Sequence, residues 1–294
     1  MRVLLAEYTL FHDPVLAAEG AAMLQVLTES FRRCGHAVIL PDKGDFTREL
    51  ERLAPSSDAA LVIAPDHLVA EFTQILEQHT HNLGCGSMVA AVCANKRLTG
   101  KILSRNGIDT PAEVTAGRKV VKPVQGCGSI GVRISDEAPG DGEMGQELLS
   151  GDHLSVSLIG PHVIGEACLY YDPGPPLALA LNRQDVRIDE GEFHYRGGET
   201  PADHPRATEI LEVAKKAVKV LGCQGYVGVD LVCGDRITVV DVNPRITTSL
   251  IGIAAVMEEE IADLLIRSST GEMPPEVHLA GRVRFTKEGE VTRI

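Results

Sequence analysis

One stretch limits what this chain can fold into. Residues 228–245 read Gly-Val-Asp-Leu-Val-Cys-Gly-Asp-Arg-Ile-Thr-Val-Val-Asp-Val-Asn-Pro-Arg. Two short runs rich in β-branched and apolar residues flank a Gly-Asp pair, the pattern of a β-hairpin. A turn centred on Gly234-Asp235 places Asp230 opposite Val239 and Gly228 opposite Asp241. Side chains alternate along a strand, so Asp230, Asp241 and Asn243 are expected on one face. The two carboxylates then sit as diagonal neighbours, with Gly228 leaving space beside Asp241. Two acids and an amide oxygen are a hard donor set suited to Mg²⁺ or Mn²⁺. A solvated hairpin face could carry the same residues. However, both acids lie inside strongly apolar runs, where an unpaired charge is costly. A one-residue bulge would change this register.

The chain has 294 residues, enough for a substantial core and two or three subdomains. No apolar run reaches the length of a membrane span, and no membrane association is expected. The N-terminal run Met-Arg-Val-Leu-Leu-Ala meets Glu7 too early for a signal peptide and reads as a first strand. Seven cysteines are scattered without a Cys-x-x-Cys pair, which argues against a disulfide framework or structural zinc and predicts a cytoplasmic protein. Net charge is −13 and Lys/Arg do not cluster, so nucleic acid is not the expected partner. A polyphosphate ligand would need a local lysine, a metal and backbone amides to overcome that field.

Residues 1–92 alternate strand and helix signals. Strands are expected at 2–6, 37–40 and 58–64, with helices at 14–33 and 65–78. This alternation predicts a parallel sheet flanked by helices. Ligands of such sheets bind beyond the carboxyl ends of strands, which marks Glu7, Tyr8, Asp66 and His67, although polar residues are common there anyway. Asn95 is positioned to cap a helix ending at Gly107, with Lys96 in its first turn. Gly126, Gly128 and Gly131 spell G-x-G-x-x-G, but the alternating Val-Arg-Ile-Ser that follows is a strand rather than the helix a dinucleotide fold requires. A glycine flap between antiparallel strands fits better, its amides covering phosphates, with Lys122 on the incoming strand.

Further on, strands are expected at 154–159, 163–170 and 177–181, with a loop at 173–176. The strand at 177–181 would deliver Asn182, Arg183 and Gln184. Residues 193–201 read as a polar, glycine-containing loop. Residues 208–221 form an amphipathic helix stopped by Gly222. A long helix is expected from 249 to 269, with Glu258, Glu259 and Glu260 on a solvated face. The tail, 281–294, alternates like a strand folding back on the sheet.

In this order the motifs resemble the ATP-grasp superfamily over nearly the whole chain. The carrying residues are Asn95-Lys96 with Gly107-Ile-Asp-Thr-Pro111, and Val120-Val-Lys122-Pro123 with its flap. Gln146 to Ser157, Gly228-Val-Asp230 and Asp241-Val-Asn243-Pro-Arg245 complete the set. The resemblance implies an α/β plus α+β architecture: an N-terminal Rossmann-like domain (1–92), a flap subdomain (93–150) and a metal-bearing subdomain (151–294). It implies that Lys96 and Lys122 contact ATP phosphates under Gly126, Gly128 and Ser129. Gln146, Glu147, Leu148 and Leu149 would line adenine. Asp230, Asp241 and Asn243 would hold two divalent ions, Mg²⁺ or Mn²⁺, and Arg245 would face the phosphorylated acyl group, with Lys122 also catalytic. Two positions depart from the usual pattern: Asn95 replaces an Asp, and His153 stands where an acid commonly binds ribose.

Inside the superfamily, Ala18-Glu19-Gly20-x-x-Met23, the stretch from His153 to Leu158, Asn182-Arg183-Gln184 and Phe193-x-Tyr195-x-Gly-Gly198-x-x-Pro201 are similar to one branch. That branch joins glutamate to tyramine in methanofuran biosynthesis. This resemblance implies an ADP-forming ligase for a small carboxylate and an amine; the sequence leaves the oligomeric state open, a homodimer among the options. Glu19, Asn182, Arg183, Gln184, Tyr195, Thr247, Thr248 and the adjoining Ser249 are the expected substrate residues. Another amino-acid or dipeptide ligase, a small-molecule kinase and a non-catalytic ATP-binding protein stay open on the residues alone, although a silent sensor would not need both acids.

Overall fold

The computed structural model describes residues 1–162 and 174–294. The first part of the chain forms β1 (Arg2–Glu7), α1 (Thr9–His12), α2 (Ala17–Arg33), β2 (Ala37–Ile39), α3 (Phe46–Leu53), β3 (Ala59–Ile63), α4 (Asp66–His79) and β4 (His81–Asn82). Next come α5 (Ser87–Ala94), α6 (Lys96–Arg105), β5 (Lys119–Pro123), β6 (Arg133–Ser135), β7 (Glu143–Glu147) and β8 (Asp152–Gly160). The rest forms β9 (Leu177–Asp189), β10 (Glu192–Thr200), α7 (Ala207–Leu221), β11 (Gly225–Cys233), β12 (Ile237–Asn243), α8 (Ser249–Val256), α9 (Ile261–Thr270), β13 (Val283–Thr286) and β14 (Val291–Arg293).

Two sheets result. The first is parallel, in the order β2-β1-β3-β4. Val3 to Ala6 and Ala59 to Ile63 are buried with no polar alternation, as expected of strands covered on both faces. The second runs β12-β11-β8-β9-β10-β6-β5-β7, with β13 added on β10 and β14 on β13. Its pairings are antiparallel. Helix α7 packs Ile210, Ala214, Ala217, Val218 and Leu221 against β8, β11 and β12. Burying Ile210, Val218 and Leu221 contributes roughly 1.5–3 kcal/mol each, more than helix propensity supplies. Gly222 ends the helix with φ +71°, where an L side chain would be strained.

Several expectations change here. Residues 193–201 are no loop: nearly all of them lie in β10, which pairs with β9 and β13. The strand expected at 177–181 continues to Asp189, so Asn182, Arg183 and Gln184 lie inside β9 rather than after it. The single helix expected at 249–269 is two helices, because Met257 turns extended (φ −79°, ψ 136°) and α9 begins only at Ile261. The glutamates of that connection are engaged: Glu259 accepts from His278, and Glu260 accepts from Ser30 and Arg33. The strand expected at 163–170 lies outside the described residues, as does the start of the loop at 173–176. The tail behaves as expected, with β13 on β10 and β14 on β13.

Candidate active site

Strands β11 and β12 form the expected hairpin, but in a different register. Near the turn Leu231 pairs with Val239 and Cys233 with Ile237, around the three residues Gly234, Asp235 and Arg236. The pairing then shifts, so that Asp230 lies directly opposite Asp241 and Gly228 opposite Asn243. Val240 is the extra residue of a β-bulge. The expected diagonal placement of the acids, with Gly228 beside Asp241, is therefore corrected, whereas their sharing one face is retained. Val240, excluded from the ladder, offers its carbonyl to Lys122 Nζ at 3.0 Å.

Charges alternate around this point. Lys96 opens α6 because Asn95 caps that helix, accepting from Leu98 N at 3.0 Å. Lys96 Nζ lies 2.7 Å from Asp241 Oδ2 and 3.6 Å from Asp66 Oδ2, and donates to the flap carbonyl of Gly126 at 2.8 Å. Arg245 Nε donates to Asp66 Oδ1 at 2.7 Å. Asp230 accepts from Asn243 Nδ2 at 3.0 Å and Gln184 Nε2 at 2.9 Å. Burial, reinforced by the like charge of Asp241, pushes Asp230 up to about 7. Burial also acts against charge on Asp241, but Lys96 and Lys122 outweigh it and hold the carboxyl below its usual range. Lys122 lacks so close a counter-charge, and burial brings it down to about 8.

A cavity of about 250 Å³ runs past these groups. It is lined by Pro111, Gln146, Glu147, Leu148, Leu149 and His153, and by Gly126, Gly128 and Ser129 of the flap. Gly128 and Ser129 both have positive φ (64° and 60°), which turns the flap sharply between β5 and β6. Lys96, Lys122, Asp230, Asp241, Asn243 and Arg245 are also on the lining, as are Glu19, Gln184, Tyr195, Thr247, Thr248 and Ser249, where Thr248 donates to Glu19.

Two expected substrate residues are not on the lining. Alternation along β9 sends Arg183 to the opposite face, where it donates to Asp152 at 2.9 Å. Asn182 is buried beneath the cavity floor, donating to Ser157 at 3.2 Å, and Ser157 in turn accepts from Tyr226 OH at 2.9 Å. Glu147 is on the lining beside Gln146 and Leu148, but its carboxylate accepts from Ala112 N at 2.9 Å and from Arg236. Residues unforeseen at the cavity include Val186, Ile188 and Phe193. The signal for the first two was the period of two that they continue from Gln184 along β9.

Among the described residues no cluster of three or more His, Cys, Asp and Glu side chains surrounds one point. The donor set is two facing carboxylates and the Asn243 amide. It fits a divalent cation because a carboxylate pushed up to about 7 by burial and a like charge gains most from a neighbouring positive ion.

A single antiparallel sheet lining a cavity that carries two lysines, two acids and a glycine flap defines a class. The model of the ATP-grasp domain matches residues 93–249, and the chain belongs to the ATP-grasp family. Its similarity extends to two proteins called tyramine–L-glutamate ligase. The one from Methanocaldococcus fervens is 32% identical, covering 92% of this chain and 94% of the relative. That from Methanocaldococcus jannaschii is 31% identical, covering 92% and 90%. Among solved structures, a putative ATP-grasp superfamily protein from Archaeoglobus fulgidus superposes with a TM-score of 0.76 at 28% identity, over 97% of this chain and 92% of that one.

Proposed function

We propose that the protein is an ATP-dependent carboxylate–amine ligase that joins glutamate to tyramine or a closely related amine. The carrying observation is that one cavity is lined by Gln146, Leu148, Leu149 and His153, by Lys96, Lys122, Asp230 and Asp241, and by Arg245 with the polar side chains Glu19, Gln184, Tyr195, Thr247 and Thr248. The division into units 1–92, 93–150 and 151–294 is part of this proposal, with the cavity lined chiefly by the last two and by Glu19 of the first.

The reaction has two displacements. A carboxylate oxygen of the acid attacks the γ-phosphorus of ATP, the bond to ADP breaks, and an acyl phosphate forms. The amine nitrogen then attacks the acyl carbon, phosphate leaves, and the nitrogen loses a proton to give the amide. Lys96 and Lys122 hold the phosphates, and the flap amides cover them. Mg²⁺ or Mn²⁺ held by Asp230, Asp241 and Asn243 would neutralise charge on the transferring phosphoryl group. Arg245 stabilises the oxyanion of the second step. His153, kept neutral by burial, offers a ring nitrogen to the ribose. Closing the flap keeps water from the acyl phosphate. Glu19, Gln184, Tyr195, Thr247 and Thr248 contact the acid and the amine.

The test is ADP release from ATP with Mg²⁺ or Mn²⁺ and glutamate, with and without tyramine, followed by mass spectrometry. Amine-dependent ADP with the mass of a glutamyl-tyramine is expected. ADP without any amine requirement would favour a kinase.

A further inference from the structure

Asp66 stands apart from the cavity-lining groups described above. It is the first residue of α4, directly after β3 and Pro65, in the parallel sheet of the N-terminal part. Only 3% of it is exposed, and it is not on the lining of the cavity. Yet each of its oxygens faces one cation of the reacting centre. Oδ1 accepts from Arg245 Nε at 2.7 Å, and Oδ2 lies 3.6 Å from Lys96 Nζ. The remaining guanidinium nitrogens are also held: Nη1 donates to Ile246 O at 3.2 Å and Nη2 to Asn243 Oδ1 at 3.3 Å. A planar guanidinium anchored at all three nitrogens has one orientation. Were Asp66 only cement between two parts of the molecule, apolar side chains would serve at least as well, because desolvating a carboxylate is expensive.

We propose that Asp66 is a positioning residue, which fixes the Arg245 guanidinium for the oxyanion and shares Lys96 with Asp241. This rests on the ligase reading given above. It carries a cost in binding. A carboxylate this close to Lys96 competes with nucleotide phosphates for the same cation, and the low-dielectric setting strengthens that competition. Loss of the Asp66 charge therefore acts on binding and chemistry in opposite directions, whereas loss of a purely structural contact weakens both.

The experiment compares the wild type with Asp66→Asn, which is isosteric, and Asp66→Glu, which keeps the charge and moves it by one methylene. ATP affinity is measured by calorimetry, and ADP and amide are counted in the same turnover assay. Asp66→Asn is expected to bind ATP about threefold to tenfold more tightly and to turn over about tenfold to a hundredfold more slowly. Its ratio of ADP to amide is expected to rise above that of the wild type, because a misaligned Arg245 slows amine attack and lets water take the acyl phosphate. Water then yields the free acid and phosphate. Asp66→Glu returns affinity toward the wild type while the product ratio stays raised, and it carries the test if the Asn variant fails to fold. Unchanged or weaker ATP affinity in Asp66→Asn, with an unchanged product ratio in both variants, would overturn the proposal. If the wild type makes no amide from glutamate and tyramine, the substrate reading fails. The affinity comparison still decides the role of Asp66.

Discussion

Asp241 faces Lys96 at 2.7 Å on one side and Asp230 across the ladder on the other. Replacing it with Asn removes a negative donor but keeps the shape and an acceptor oxygen. The variant also relieves the like-charge repulsion on Asp230. Asp241→Asn is therefore expected to lose at least about 100-fold in turnover, while its circular dichroism spectrum stays native. Near-wild-type ADP release in that variant would remove Asp241 from the metal set. Lys122 gives a pH signature. Burial brings it down to about 8, so in the free enzyme it is charged below that pH and neutral above it. A neutral amine holds phosphate poorly, so kcat/KM for ATP should fall as pH rises through about 8. Lys122→Arg, charged at every accessible pH, should flatten that limb even as it lowers the rate, and a limb that persists in the variant belongs to another group. At this scale much was legible in the sequence: the two acids, Asn243, both lysines and Arg245 all line one cavity. What was not legible is the bulge at Val240, since a backbone that opens to feed a carbonyl to a distant lysine leaves no mark in a local alternation pattern.

Helix α2 shows how closely elements meet at the site. A Cβ added at Gly20 would come within 2.3 Å of Glu7 Oε1 and Thr9 Oγ1. Those atoms are not free to swing, because Glu7 accepts from Thr9 N, Thr9 Oγ1 and Leu10 N at 2.9, 2.6 and 2.6 Å. Alanine is the better helix former by about 1 kcal/mol, whereas overpacking costs about 1–3 kcal/mol. Gly20→Ala should therefore destabilise on balance, read as a lower midpoint in urea unfolding; a raised midpoint would show that α2 can slide. Elements with strong periodicity, such as α6, α7 and the β11–β12 hairpin, were legible. The break between α8 and α9 was not, because no Gly or Pro marks it. The connection is held by Glu258 N donating to His278 O at 2.9 Å and by Glu260 pairing with Arg33 at 2.6 Å. Both partners are remote in the chain. Strand β10 reads as a loop in the sequence because Gly197 and Gly198 look like turn residues. They are needed there for close approach: a Cβ at Gly197 would meet Phe285 O at 2.0 Å.

For the whole molecule, the parallel sheet, the flap and the hairpin sheet all contribute to one centre, through Asp66, Gly126 and Asp241. A ligand held among them stabilises the assembly by mass action. ATP with Mg²⁺ at about 100 times its Kd should add about 2.7 kcal/mol and raise Tm accordingly. The increment that depends on the divalent ion should vanish in Asp241→Asn, and its persistence would place the ion elsewhere. The overall order of sheets was legible from the spacing of motifs. The joining of the flap strands to the rest was not, for it rests on one register pair, Glu192 with Arg133.

That seam has a mechanical consequence. Around it, Phe193 N donates to Val132 O at 3.0 Å and Ile134 N to Gly191 O at 2.7 Å. Two peptide hydrogen bonds contribute only about 0.5–1.5 kcal/mol each, far less than the apolar cores on either side. That rung is therefore the thinnest backbone link in the second sheet, supplemented by side-chain contacts such as Lys122 to the Val240 carbonyl and Arg236 to Glu147. A substitution that weakens that rung is therefore expected to change how the flap strands meet β10 while leaving the apolar cores on either side intact.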